Sequence, residues 1–206
     1  MGKKVVGIAM GGNSSERELS LESGSTVFQF LPSTKCKCFK IVVDFDLWTV
    51  IDAQENTYFL NLENFTFEME GKTVHFDVIF NAIHGAPGED GQLAKKLAFH
   101  KIPHTSCDQS IAALTFDKRE CLKKVKEWGV PVAKSFFFDR GDPINIDAIE
   151  KKVGLPCFIK PNSSGSSYGI VKAYKKKDLE DAIHIALKED NQLIIESELE
   201  GIEISV

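Results

Sequence analysis

The chain has 206 residues, 43% of them hydrophobic and 27% charged; this is the balance of a folded protein and excludes disorder and low complexity. Its 25 Lys and Arg against 30 Asp and Glu leave a net charge of −5. That argues against broad electrostatic binding of nucleic acid or an anionic membrane, so an anionic ligand has to be held by a few placed groups. No apolar run approaches the roughly 18 residues of a membrane span, and Val5 to Met10 is too short for a signal-peptide core. Five cysteines without a CxxC pair do not suggest a disulfide framework, and the expected compartment is a reducing cytoplasm.

In chain order, Lys4 to Met10 reads as a buried strand that breaks into a loop at Gly11-Gly12. Ser14 or Ser15 followed by Glu18 is a helix-start pattern. That helix runs to about Leu31 and stops at Pro32, with Leu19, Val27 and Leu31 among its inward candidates. Phe39 to Asp44 is a second apolar strand, and residues 48–76 read as two small hairpins, the second turning at Glu70-Gly71. Val78 to Ile83 is a third buried strand; it ends in the loop His84 to Gly91, and a helix follows to about His100. Strands and helices alternating over short connections predict a mainly parallel α/β sheet for the first ~105 residues. Ligands of such sheets bind outside the carboxyl ends of the strands, so the loops 11–16 and 84–91 are expected to be neighbours.

The composition changes near Ile102 to Ser106. Asp108 is placed to cap a helix to about Thr115, and a second helix covers Lys118 to Trp128 before Gly129-Val130-Pro131. Strand 134–138, helix 145–153, strand 157–160, a loop, strand 170–174, helix 178–189 and strand 192–196 make an α+β block. Gly201 to Val206 alternates like a strand without a closing turn, so the chain is expected to be part of a longer one.

Four segments carry chemistry. Lys160 closes a strand, and the small-residue loop Pro161 to Gly169 follows; glycines and serines let backbone N–H groups approach an anion, and the lysine adds charge. It is not a Walker loop, which ends in GK[ST] and enters a helix; the plain alternative is a serine-rich hairpin. Gly11 to Glu18 lacks the GxGxxG spacing of a dinucleotide site. There a carboxylate could face a substrate ammonium, or Glu16 and Glu18 could simply favour the helix dipole. In His84 to Gly91, one histidine and two carboxylates have no second His or Cys at ligand spacing, which favours a polar loop lining the crevice over a metal site. Glu196 ends an apolar strand, and Glu203 follows seven residues later; the pair either reads a nucleoside or is an acidic surface turn. Phe136-Phe137-Phe138 is expected in the core.

Taken together, Gly11 to Leu21, His84 to Gly91, Phe116-Asp117-Lys118, Lys160 to Gly169 and Glu196 to Glu203 resemble the ATP-grasp superfamily and, within it, the D-alanine–D-alanine ligase family. The resemblance spans nearly the whole chain. It implies an α/β fold: a parallel-sheet, Rossmann-like pre-ATP-grasp domain over 1–105 that binds substrate, an α+β ATP-grasp central domain over 106–198, and the start of a mostly absent C-terminal lobe over 199–206.

The resemblance further implies that ATP phosphorylates the carboxylate of one D-alanine and that the amine of a second displaces phosphate, for peptidoglycan synthesis. Glu16 would hold the first substrate's ammonium, with Ser166 next to it in space and helping to orient it as the second catalytic residue. His84 would lie near that substrate's carboxylate. Lys118, Lys160 and the Ser166–Ser167 loop would take the ATP phosphates, Glu196 and the Leu199 backbone the adenine, and Glu203 the ribose. Two Mg2+ ions would be held by residues beyond Val206, so the 206-residue chain alone is expected to be inactive. A homodimer through the N-terminal domain is implied, with no nucleic-acid or membrane partner. Ala86-Pro87 departs from the more polar or glycine-rich pair usual in that loop. D-lactate as second substrate, another carboxylate–amine ligase and an inactive nucleotide-binding fragment stay open as alternatives.

Overall fold

β1 (Lys4–Gly11) is buried from Val6 onward because it is an inner strand of its sheet and has a core packed on each face. β2 (Cys36–Asp44) lies on one side and β7 (Val78–Asn81) on the other, each parallel to it. The structure, a computed structural model describing residues 2–202 and 204, divides into two compact units, Met1–Thr115 and Phe116–Val206.

In the first unit β3 (Leu47–Ile51) and β4 (Thr57–Phe59) extend the sheet to the order β4-β3-β2-β1-β7, and both pair antiparallel. The expected mainly parallel sheet is therefore a mixed one. The reason lies in the connection: only Phe45-Asp46 separates β2 from β3, whereas a parallel pair needs a crossover of a dozen or more residues. β5 (Thr66–Met69) and β6 (Lys72–His75) form a separate hairpin. It turns at Glu70-Gly71, whose φ values of 52° and 70° suit a two-residue hairpin loop.

Both faces of the sheet are covered. On one, Leu93 and Leu97 of α2 (Gln92–Phe99) and Phe67 of the hairpin join Phe39, Ile41 and Ile79 in a closed core. On the other, α1 (Arg17–Phe30) lays Leu21, Val27 and Phe28 against Val6, Ile8 and Met10. Gly24 permits this close approach, since a Cβ there would stand 2.6 Å from the Met10 Cβ. Leu19 is not inward as expected: it is 40% exposed, and the buried position one residue on is Ser20, whose hydroxyl serves two backbone groups. Nor do Ser14 or Ser15 cap the helix. Glu16 is the N-cap residue, without a side-chain cap bond; Ser14 Oγ accepts from Glu16 N at 3.2 Å, just ahead of the helix, and donates to the His84 carbonyl. Asp108 does cap as expected, accepting from Ser110 N and Ile111 N at the start of α3 (Gln109–Phe116).

The second unit is a four-stranded sheet in the order β10-β9-β11-β8, formed by β8 (Ser135–Asp139), β9 (Cys157–Pro161), β10 (Val171–Ala173) and β11 (Gln192–Ser197), with every pairing antiparallel. α4 (Lys118–Glu127) precedes it. Ile149 and Val153 of α5 (Ile146–Val153) and Leu179 and Ile183 of α6 (Leu179–Ala186) pack on Ile159, Leu193 and Ile195. The helix expected over 178–189 stops at Ala186 and is led in by a 3-10 turn over Lys176–Asp178. Because side chains alternate along strands, Phe137, Phe158, Lys160, Lys172 and Glu196 occupy the face opposite this core. Of the three phenylalanines expected inside, Phe138 is buried, but Phe137 is 50% exposed for that reason. Among the described residues no helix is long and apolar enough to cross a membrane.

Candidate active site

In the first unit the loops after β1 and β7 meet, as the order of elements predicts. Asn13 N donates to Ala86 O at 2.9 Å, and Ser14 Oγ to His84 O at 2.9 Å. Gly12 (φ 101°) is pressed against this neighbour: a Cβ on it would lie 2.8 Å from Ala86 O. Glu16 is 3% exposed, and its carboxylate lies against the 84–91 loop, with Oε2 3.5 Å from where a Gly85 Cβ would be. His84 Nε2 and Ser23 Oγ stand 3.2 Å apart, so α1 fixes the ring. The loop braces itself through Gly85 N, which donates to Glu89 Oε2 at 2.7 Å, and through Asn81 Nδ2, which donates to Gly88 O at 3.0 Å. The Ala86–Pro87 peptide is cis.

Two residues outside the sequence assignments hold this end together. Ser20, fully buried, accepts from Gly11 N at 2.8 Å and donates to Ala82 O at 2.9 Å, joining the ends of β1 and β7 through α1. Arg17 Nη1 donates to Val43 O at 2.7 Å, tying the helix start to the end of β2. A polar residue at the inward phase of an amphipathic helix is the signal that would have found Ser20.

In the second unit Lys118, the first residue of α4, donates through Nζ to Asn162 O at 3.2 Å and to Ser164 O. It therefore grips the root of the loop that Lys160 precedes, whereas the Lys160 ammonium lies back along β9, over the Phe158 ring. Asn162, fully buried, couples α4 to the sheet: its Oδ1 accepts from Arg119 N, and its N donates to Gln192 O. Arg119 reaches under the sheet edge to Asp139, Phe138 O and Leu193 O. Lys160 Nζ donates to Glu196 Oε2 at 2.8 Å, in a pair whose side chains are 27% and 11% exposed. Ser166 and Ser167 both have positive φ, 44° and 62°, and the loop is pinned at its start by Ser163 N donating to Asp190 Oδ2.

The sequence reading passed over Lys172. It lies on the same open face, over the Phe158 and Tyr174 rings, and pairs with Glu198; the Glu198 hydrogen bond raises its ammonium above the ordinary value. Leu199 is 69% exposed. The Glu203 assignment lies outside the described residues.

Two family models match: "D-ala D-ala ligase N-terminus" over residues 5–107 and "D-ala D-ala ligase C-terminus" over residues 125–206. A D-alanine–D-alanine ligase of Flavobacterium johnsoniae is 45% identical over 203 residues, covering 98% of this chain and 63% of the relative. One from Christiangramia forsetii is 40% identical over 204 residues, covering 99% and 63%. The chain thus spans about 63% of the length of these curated relatives. Among solved structures, D-alanyl-alanine synthetase A of Vibrio cholerae superposes with a TM-score of 0.83 at 25% identity, over 97% of this chain and 60% of that one. The VanG D-Ala:D-Ser ligase of Enterococcus faecalis gives 0.77 at 31% identity, over 97% and 64%. With both family models matched in order along an α/β fold of the same kind, the chain belongs to the D-alanine–D-alanine ligase family.

Proposed function

We propose that the protein joins two D-alanines, using ATP, through an acyl phosphate. The observation that carries this reading is the Lys118 grip on the loop after Lys160, which puts an ammonium at the root of a serine-rich loop, as a phosphate site requires. Carboxylate is a poor electrophile because it has no good leaving group. A carboxylate oxygen of the first D-alanine attacks the γ-phosphorus and ADP departs; the amine of the second then attacks the acyl carbon, and phosphate leaves with that oxygen while the amine loses a proton. D-Alanyl-D-alanine results, a peptidoglycan building block.

Residues 1–105 are read as the substrate-binding domain and 106–198 as the nucleotide-binding one. Glu16 takes the first substrate's ammonium, and His84 its carboxylate. Lys118 and Lys160 neutralise charge on the phosphates, and Ser166 and Ser167 close over them, Ser166 also helping to orient Glu16. Glu196 and the Leu199 backbone take adenine, and Glu203 ribose. Among the described residues no group of three or more His, Cys, Asp or Glu is gathered for a metal. The two Mg2+ ions are read as arriving on the ATP phosphates, which commonly supply part of the coordination.

A homodimer through the first unit is part of this reading. Phe45, Leu47 and Phe59, 71%, 55% and 75% exposed, leave an apolar patch around β3 and β4 of the kind that marks an interaction surface. Since the reaction draws on cellular ATP, the protein is placed in the cytoplasm. The test is phosphate release from ATP and Mg2+, with D-alanine, D-serine or D-lactate offered in turn. It uses a hybrid in which residues 1–206 replace the segment they match in the Flavobacterium johnsoniae ligase. Release should require D-alanine; release indifferent to any of the three would reject the assignment.

A further inference from the structure

A cavity of about 700 Å3 in the second unit has no part in the chemistry above. It lies where the end of α4 and the connection Val130–Lys134 lead into β8, with the end of α5 on its rim. Leu122, Val130, Val132 and Phe137 give it apolar lining, and Lys123, Lys126, Lys134, Lys151 and Lys152 line it as well. No lining residue is acidic, and none belongs to the nucleotide set Lys118, Lys160, Ser166, Ser167, Glu196 and Leu199.

The concentration of charge is the unusual feature. The chain carries a net −5, yet five lysines line one hollow. Glu120 approaches Lys123 at 3.5 Å. Among the described residues no carboxylate comes within ion-pair distance of Lys126, Lys134, Lys151 or Lys152. The neighbouring lysines Lys124 and Lys176 are already satisfied by Glu127 and by Asp147 and Glu150. Like charges gathered around a concave wall raise the local potential and attract a polyanion. The apolar lining has a different preference: Val130 and Phe137 are each 50% exposed, apolar surface that a ring or alkyl group would shield from water. The volume is within the range of small-molecule sites.

We infer that this cavity binds a small organic phosphate, its phosphate among Lys126, Lys134 and Lys152 and its apolar part on Val130 and Phe137. The site is independent of the ligase reading, and a ligand here would meet the protein without entering the nucleotide loop.

Phenyl phosphate is the probe, titrated into the 15N-labelled full chain and followed by amide shifts. Saturable shifts confined to residues 122–137 and 151–152 are expected. Affinity should fall at least tenfold in the Lys126→Gln/Lys134→Gln/Lys152→Gln variant and be kept within threefold by the three Arg replacements. Inorganic phosphate should bind at least tenfold more weakly, and benzyl alcohol should not saturate. The lysines are exposed, so the variants should keep the native amide spectrum; the three single Gln variants, each losing at least twofold, provide a second arm. Unchanged affinity in the triple variant would overturn the proposal. So would shifts centred on residues 160–169 that vanish in Lys118→Met, or equal binding by inorganic phosphate or by benzyl alcohol.

Discussion

Lys160 and Glu196 are joined across the β9–β11 pair, Nζ to Oε2 at 2.8 Å. One is assigned to phosphate and the other to adenine, and their bond sets the distance between those two tasks. Lys160→Met leaves a mostly buried carboxylate without this partner, which should cost about 1–3 kcal/mol of stability as well as ATP affinity. Glu196→Gln keeps an acceptor and should cost less than half as much. Urea unfolding of both variants, with ATP titration, checks the order; equal losses would contradict it, and no loss in either would mean that the pair is dispensable.

Lys118 holds two carbonyls of the loop root, and its removal should be felt by the nucleotide. Lys118→Met is expected to lower ATP affinity about tenfold, in line with about 1–3 kcal/mol for a charge-assisted hydrogen bond. Lys124→Met, which removes a surface pair with Glu127 and a contact with the Trp128 ring, should leave the affinity within twofold. Calorimetric titration of ATP into the two variants distinguishes them.

Gly12→Ala should damage the first unit's loop pair. The new methyl would sit 2.8 Å from both Ala86 O and Ile83 Cγ2, at a φ of 101° that side chains rarely adopt. A destabilisation of roughly 1–3 kcal/mol is expected from clash and backbone strain. Gly71→Ala, also at positive φ but with nothing within 4 Å, should cost less; thermal unfolding of the two proteins tests the ranking.

Much of this arrangement can be read from residue order. The Gly11-Gly12 break after β1 and the His84 loop after β7 lie at the ends of neighbouring parallel strands, so their contact follows from topology. Lys160 at a strand end before a serine-rich loop likewise announces itself. What sequence could not supply is the third dimension of the polar residues. Ser20 and Asn162 look like ordinary surface serine and loop asparagine until burial shows what each bonds. The Lys160–Glu196 pair spans 36 positions and needs the β9–β11 register. The mixed sheet was misread because the alternation of strand and helix outweighed a two-residue connection that forces an antiparallel turn.

Asp52 gives the first unit an acid-sensitive joint. Burial pushes its carboxyl up, but hydrogen bonds from Asn56 Nδ2 and N, Tyr58 Oη and Gln54 N outweigh this and hold it below the ordinary value. A carboxyl depressed in the folded state adds stability that is present above its unfolded pKa, about 3.9, and is lost as pH falls through the lower folded value. Unfolding free energy should therefore drop below about pH 4, and Asp52→Asn should flatten that part of the profile while lowering stability at pH 7. A variant as steep as the parent in this range would remove Asp52 as a cause.

The acyl phosphate is tested most directly by oxygen transfer. D-Alanine labelled with 18O in its carboxylate is supplied with ATP and Mg2+ to the hybrid carrying residues 1–206, and the released phosphate is analysed by mass. One labelled oxygen per phosphate is predicted, with the yield collapsing in Glu16→Gln while ATP binding stays within about threefold. Phosphate that forms without D-alanine, or forms with it but carries no label, would contradict the account.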